Sequence, residues 1–207
     1  MQKRLATAAT LAFAFISSAA HAQAWDDLVD RAQVGAGLGY MFGFDVDTTA
    51  GEVGFDGGLS YQLEGDLRIP SNTLLLINYT WLPTELKLNT TGGGTRDLGD
   101  LNLHFFQTGA QREFLYGKWR PFAMLTLGAT LFASSQYDDE WKFSSTLGAG
   151  LKYLPSPKFG IRAQVRLMNS FGTNSSTIFC SFSGCDYGIT GGGILHTDLS
   201  GVLFWVF

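Results

Sequence analysis

Charged residues on alternate positions are the first feature of this chain that could do chemistry. Glu64, Asp66 and Arg68 follow one another at a spacing of two, and so do Arg162, Gln164 and Arg166. Lys142 and Lys152 stand on a third such run. Side chains two apart point the same way along a strand. Acids and bases of this kind can form ion pairs with each other or line a path for ions. A second set is His196, Asp198 and Ser200, the residue types of a nucleophile, its base and an orienting carboxylate. On a strand they lie about 6.8 Å apart, too far for an assured relay, so a structural histidine is the expected reading. A third set is Cys180 and Cys185, the only cysteines. In an oxidising compartment they are expected to form a local disulfide. No cofactor or metal set is expected, since only Asp186 and His196 offer further ligands near the cysteines.

The elements that carry these residues have a period of two. From Ala32 to Phe44, Val34, Ala36, Leu38 and Tyr40 share one face, and Gln33, Gly35, Gly37 and Gly39 the other. From Val53 to Ile69, Val53, Phe55, Leu59, Tyr61, Leu63, Leu67 and Ile69 oppose Ser60, Gln62, Glu64, Asp66 and Arg68. Leu75, Ile77, Tyr79 and Trp81 continue the pattern to Pro83, where the phase change reads as a bulge or a strand end. A fourth segment near Gly99–Phe114 is blurred by Phe105-Phe106. Four more runs follow, at 119–133, 141–153, 159–167 and 197–207. That makes eight strands. Their connections alternate: long at Val46–Glu52, Asn89–Leu98, Ser134–Glu140 and Gly172–Gly192, short at 70–72, 115–118 and 155–158. Gly35-Ala36-Gly37-Leu38-Gly39 brushes a dinucleotide fingerprint, but no helix follows it. Asp138-Asp139-Glu140 reads as a solvated loop cap.

Composition narrows the class. Charged residues make up 15% of the 207, with 26 Gly and 17 Phe, against about 25% charged in ordinary soluble domains. The formal net charge of −4 excludes a basic nucleic-acid binder. Lys3 and Arg4, the apolar stretch Leu5–Ala20 and Ala20-His21-Ala22 read as a signal peptide over 1–22. Residues 23–31, with WDDLVDR, are then a short periplasmic lead-in, and 32–207 the folded unit. A mean hydropathy of +0.09 argues against helical spans but not against strands with one face in lipid.

Three features favour a membrane barrel over a soluble one. The polar face carries charges at successive alternate positions beside many glycines, as a lumen does. Trp119, Tyr153, Phe159 and Trp205 lie near the short turns, and Tyr40, Phe42, Trp81 and Trp141 near the long loops, as two interfacial girdles do. The chain ends Leu203, Trp205, Phe207 at alternate positions. These features, with the stretches Gly51–Trp81, Arg120–Phe132 and Phe143–Arg166, resemble the OmpA/OmpX-type eight-stranded outer-membrane barrels, the outer membrane protein β-barrel domain family. The resemblance implies an all-β, eight-stranded antiparallel up-and-down transmembrane β-barrel in the Gram-negative outer membrane, with both termini periplasmic. It implies outer-membrane lipids and lipopolysaccharide as surroundings, and Leu203, Trp205 and Phe207 as a signal to the barrel assembly machinery. In such a barrel the second strand faces the sixth and seventh. Glu64, Asp66, Arg68, Lys142, Lys152, Arg162 and Arg166 are therefore expected to form a lumen charge network that plugs the interior. The expected role is structural or surface-interacting, through the outer loops, without enzymatic activity. The alternatives are a small-solute channel on the same charges, or a lipid A-modifying enzyme on His196, Asp198 and Ser200.

Overall fold

A computed structural model of the chain describes residues 32–48, 51–69, 72–90, 94–114, 117–134, 139–171, 177–181, 184–188 and 194–207. The expected signal peptide and lead-in lie outside the described residues, as does Asp138. The strands are β1 (Ala32–Met41), β2 (Phe44–Thr48), β3 (Gly51–Phe55), β4 (Gly58–Ile69), β5 (Thr73–Thr90) and β6 (Gly94–Glu113). They continue as β7 (Trp119–Ser134), β8 (Glu140–Ser156), β9 (Phe159–Phe171), β10 (Thr177–Ser181), β11 (Gly184–Gly188) and β12 (Ile194–Val206).

Eight of these strands build one closed wall. β1, β4, β5, β6, β7, β8, β9 and β12 each pair antiparallel with the next, and β12 returns to β1. The register fixes the slant of the wall. Starting at Gln33 and stepping through Asp66, Leu76, Gly109, Thr126, Thr146, Met168 and His196, the path re-enters the first strand beside Gly43. The neighbouring bond from Phe42 N–H to Thr197 O, 2.8 Å, fixes that last step. The return is displaced ten residues along the strand. Ten residues at about 3.3 Å set against eight strand spacings of about 4.8 Å give a tilt of about 40°.

Polarity in this wall is inverted relative to a soluble barrel. Every inward position of β9 from Gly160 to Ser170 is buried, and Ile161, Val165 and Leu167 on the other face are exposed. The same alternation runs along β4, β8 and β12. Exposed Trp119, Trp205 and Phe207 stand at the short-turn end, and exposed Tyr40, Tyr61, Phe106, Trp141 and Phe143 toward the other. Ring pairs tie strands of the wall together at both levels. Trp119 and Tyr153 lie 4.4 Å apart and Phe159 and Trp205 4.9 Å apart below, Tyr61 and Trp81 5.2 Å and Phe106 and Trp141 5.8 Å above. The twelve steps from Phe159 to Phe171 rise about 30 Å at that tilt.

Two connections and the course of two strands differ from the sequence reading. The first long loop, placed at Val46–Glu52, is the paired hairpin β2–β3, and the strand expected over Val53–Ile69 is interrupted at Asp56 and Gly57, between β3, which also pairs with β5, and β4. The second, placed at Asn89–Leu98, shrinks to 91–93 because β5 and β6 pair as far as Thr90 and Gly94. Pro83 is neither a bulge nor a strand end: β5 runs through it opposite Asn102, and the irregularity falls at Leu86/Lys87. The apparent phase change has another cause. Near the long-loop end the lumen itself turns apolar, so Leu82 points inward while Pro83 points out. β2, β3 and the far halves of β5 and β6 thus rise past the rest of the rim as one sheet. The short turns are tight: Asn72 adopts φ 56° and Gly117 φ 107°, the left-handed region that favours glycine and asparagine.

Candidate functional site

The lumen is filled by side chains in successive levels. At the short-turn end Glu113, whose N–H donates to Asn72 O at 2.9 Å, is paired with three cations. Arg68 Nη2 lies 3.0 Å from its carboxylate, Arg120 Nη1 3.4 Å and Lys152 Nζ 3.0 Å. Lys152 also donates to Gln33 Oε1 at 3.1 Å and faces Asp66 at 3.6 Å. One level up, Arg162 donates to Glu64 and, at 2.6 Å, to Asp66. Its guanidinium lies 5.3 Å from the Phe122 ring and 5.7 Å from Phe204, with cation–π geometry to both. Gln164 donates to Gln62 at 3.1 Å and to Glu64 at 3.2 Å.

The next level is built on Arg166. Its Nε donates to Asp198 Oδ1 at 2.9 Å and its Nη1 to Thr80 at 3.1 Å and Asn78 at 3.3 Å. Asp198 also accepts from Ser60 at 2.6 Å. Beside this, Gln107 Oε1 accepts from Thr146 at 2.7 Å and Thr126 at 3.2 Å. Above the polar levels sits an apolar stopper: Met41, Leu82, Leu103, Phe105 and Met168 are all 3% exposed or less. Desolvated charge persists here because each buried guanidinium is paired with carboxylate, Arg162 with Glu64 and Asp66 and Arg166 with Asp198.

The seven charges read from the sequence do not form one cluster. Glu64, Asp66, Lys152 and Arg162 are bonded together, and Arg68 joins them through Glu113. Arg166 belongs to the separate level with Asp198. Lys142 stands at the opposite end of the lumen, paired with Glu140 at 2.9 Å and lying 5.9 Å from the Phe132 ring. Four charged partners stand outside those seven: Glu113, Arg120, Glu140 and Asp198. Glu113 lies beyond the Phe105-Phe106 pair; following the odd positions from Leu101 past that pair reaches it. Asp198 was grouped with His196 and Ser200, yet it neutralises Arg166.

That pairing decides the histidine set. Asp198 is held by Arg166, Ser60 and Gln62, and His196 lies edge-on to Phe105 with centroids 5.6 Å apart. The carboxylate orients an arginine rather than an imidazole, so these three residues have no triad geometry. The two cysteines face each other across the β10–β11 hairpin, Cys180 opposite Cys185. Directly opposed antiparallel residues have Cα atoms about 4.5–5.5 Å apart, within the span of a disulfide. Leu203 and Trp205 are exposed on the outer face of β12, and Phe207 N–H donates to Ala32 O at 2.8 Å.

No protein family profile matches the chain, and no curated protein matches it. Solved structures do match it. The outer membrane protein OprG from Pseudomonas aeruginosa superposes with a TM-score of 0.57 at 10% identity, over 87% of this chain and 98% of that one. Neisserial surface protein A superposes with a TM-score of 0.54 at 15% identity, over 85% and 97%. At these identities the likeness is one of fold: this chain has the fold of the eight-stranded outer-membrane β-barrels.

Proposed function

We propose that the mature chain is an integral barrel of the Gram-negative outer membrane, closed to solutes, that acts structurally and through its long-loop end. The observation that carries this reading is the inverted polarity. Buried ion pairs fill the inside, while Leu38, Leu63, Ile77, Leu125 and Leu147 stand 56–67% exposed on the outside. An outer face of that kind is stable where lipid replaces water. The levels of Arg162 and Arg166 and the apolar stopper above them oppose conduction. The sheet formed by β2, β3 and the far halves of β5 and β6 offers the outer medium an interaction surface. Short turns face the periplasm in this reading, and Leu203, Trp205 and Phe207 present the terminal strand to the assembly machinery.

Site-directed labelling tests the orientation and planar-bilayer recording tests the closure. With Cys180 and Cys185 changed to Ser, Asp139→Cys is expected to react with an impermeant maleimide on intact cells, and Ser156→Cys only after lysis. Reaction at Ser156→Cys on intact cells would overturn the orientation. Large, stable conductance steps from the pure protein would overturn the plug and restore the channel reading.

A further inference from the structure

The outer wall is not uniformly flat. Between β1, β4 and β5 it holds a lateral groove of about 470 Å³, lined by Ala36, Leu38, Tyr61, Leu63, Tyr79 and Trp81. The register explains the hollow. Ala36 stands opposite Leu63 and Leu63 opposite Tyr79, while Leu38 stands opposite Tyr61 and Tyr61 opposite Trp81. A methyl group therefore makes the floor, and long side chains make both flanks. On the neighbouring β6, level with Trp81, stand polar partners of the groove's aromatic residues. Trp81 Nε1–H donates to Asn102 Oδ1 at 3.1 Å, and the Tyr79 hydroxyl lies 2.9 Å from His104 Nδ1. The Trp81 and His104 rings are stacked at 6.4 Å and 4°. These bonds hold the polar ends of the aromatic residues toward the long-loop end and leave their apolar bodies to wall the groove.

We propose that this groove binds one acyl chain of lipid A, the lipid of the outer leaflet, with a lipid A phosphate at the His104–Tyr79 pair. The walls present almost only carbon, which suits an alkyl chain and offers nothing to a polar solute. The His104–Tyr79 pair supplies the donor for an anion. When Tyr79 donates to Nδ1, the neutral imidazole carries its proton on Nε2, and that N–H is available chemistry for a phosphate oxygen. Height selects the leaflet, since the groove climbs from Ala36 toward the long loops. This step rests on the orientation proposed above.

The test uses the mature barrel folded in detergent micelles, with purified hexa-acylated lipid A as probe and phosphatidylglycerol as competitor, read by native mass spectrometry. The wild type is expected to retain one lipid A. Ala36→Phe, which fills the floor, is expected to weaken it by about tenfold or more, and Ala36→Leu to a lesser degree. Ala163→Phe, the same change at an exposed alanine across the wall, is expected to change nothing, and His104→Ala to reduce the preference for lipid A over phosphatidylglycerol. Undiminished binding in both Ala36 variants, or equal loss in Ala163→Phe, overturns the site. Equal retention of phosphatidylglycerol with the same dependence on Ala36 overturns the lipid A assignment. Heat-modifiable gel mobility reports folding of each variant. A reversed labelling pattern in cells overturns the orientation while leaving binding in micelles intact, so the two failures are separable.

Discussion

Arg162 is the residue whose removal tests the lumen most directly. It is 1% exposed, bonded to both Glu64 and Asp66, and held between Phe122 and Phe204. Arg162→Met keeps most of the volume and deletes the charge. Two buried carboxylates then lose their main partner. Asp66 retains Lys152 at 3.6 Å, whereas Glu64 retains only the Gln164 amide at 3.2 Å. Breaking a buried pair from one side costs about 3–5 kcal/mol, because a desolvated charge is left behind. Loss of the two ring contacts adds about 1–2 kcal/mol. The single variant is therefore expected to lose about 4–7 kcal/mol. Removing all three charges, as Glu64→Gln with Asp66→Asn and Arg162→Met, is expected to recover at least half of that loss, since no charge is left unpaired. Urea unfolding from lipid vesicles, followed by tryptophan fluorescence and gel mobility, measures both. A single variant within about 1 kcal/mol of the wild type, the size of a surface ion pair, would refute the reasoning: the carboxylates would be hydrated and the lumen wet.

Three further outcomes are expected. A methyl group at Gly128 would overlap the Phe106 carbonyl oxygen, a backbone atom that cannot turn away, so Gly128→Ala is expected to cost about 1–3 kcal/mol in the same unfolding assay. Deleting Phe207 is expected to lower the yield of assembled barrel in cells several-fold while the refolded protein keeps most of its stability; equal loss in both would make the residue a packing element rather than a signal. Intact mass of the non-reduced mature protein is expected to fall short by two hydrogens, and changing both cysteines to Ser is expected to leave barrel stability unchanged, since among the described strands β10 and β11 pair only with each other.

The sequence showed strand faces more clearly than strand ends. Alternation survives wherever inside and outside differ in polarity, so Glu64, Asp66, Arg162 and Arg166 could be placed on the inner face from spacing alone. It fails where the two sides become alike. Around Leu82 and Leu101–Phe105 the lumen is apolar, and a run with no polar partner face reads as a bulge at Pro83 or as blur at Phe105-Phe106. The long-loop ends were misjudged for a related reason. Pairing of β2 with β3 and of β5 with β6 beyond the wall rests on backbone bonds, which leave little trace in side-chain pattern. Partners across the lumen were legible only as strand against strand. The choice of Glu113 for Lys152, or Asp198 for Arg166, depends on the ten-residue stagger, which sequence does not display.

The inner face of β1 has a consequence for assembly. Gly35, Gly37 and Gly39 stand there in succession, and a methyl group on any of them would collide with Val202, Ser200 or their neighbours. β1 is also one side of the seam where the two ends of the chain meet, against β12. Every other strand brings bulky residues into the interior. β1 brings almost none beyond Gln33 and Met41, so it can close over an interior already packed, like a smooth shutter, with no side chain to thread past Arg166 or Phe204. The order of events this favours is packing first and sealing last. Bulky residues at Gly35, Gly37 or Gly39 should then stall the chain as an open sheet with its ion pairs formed.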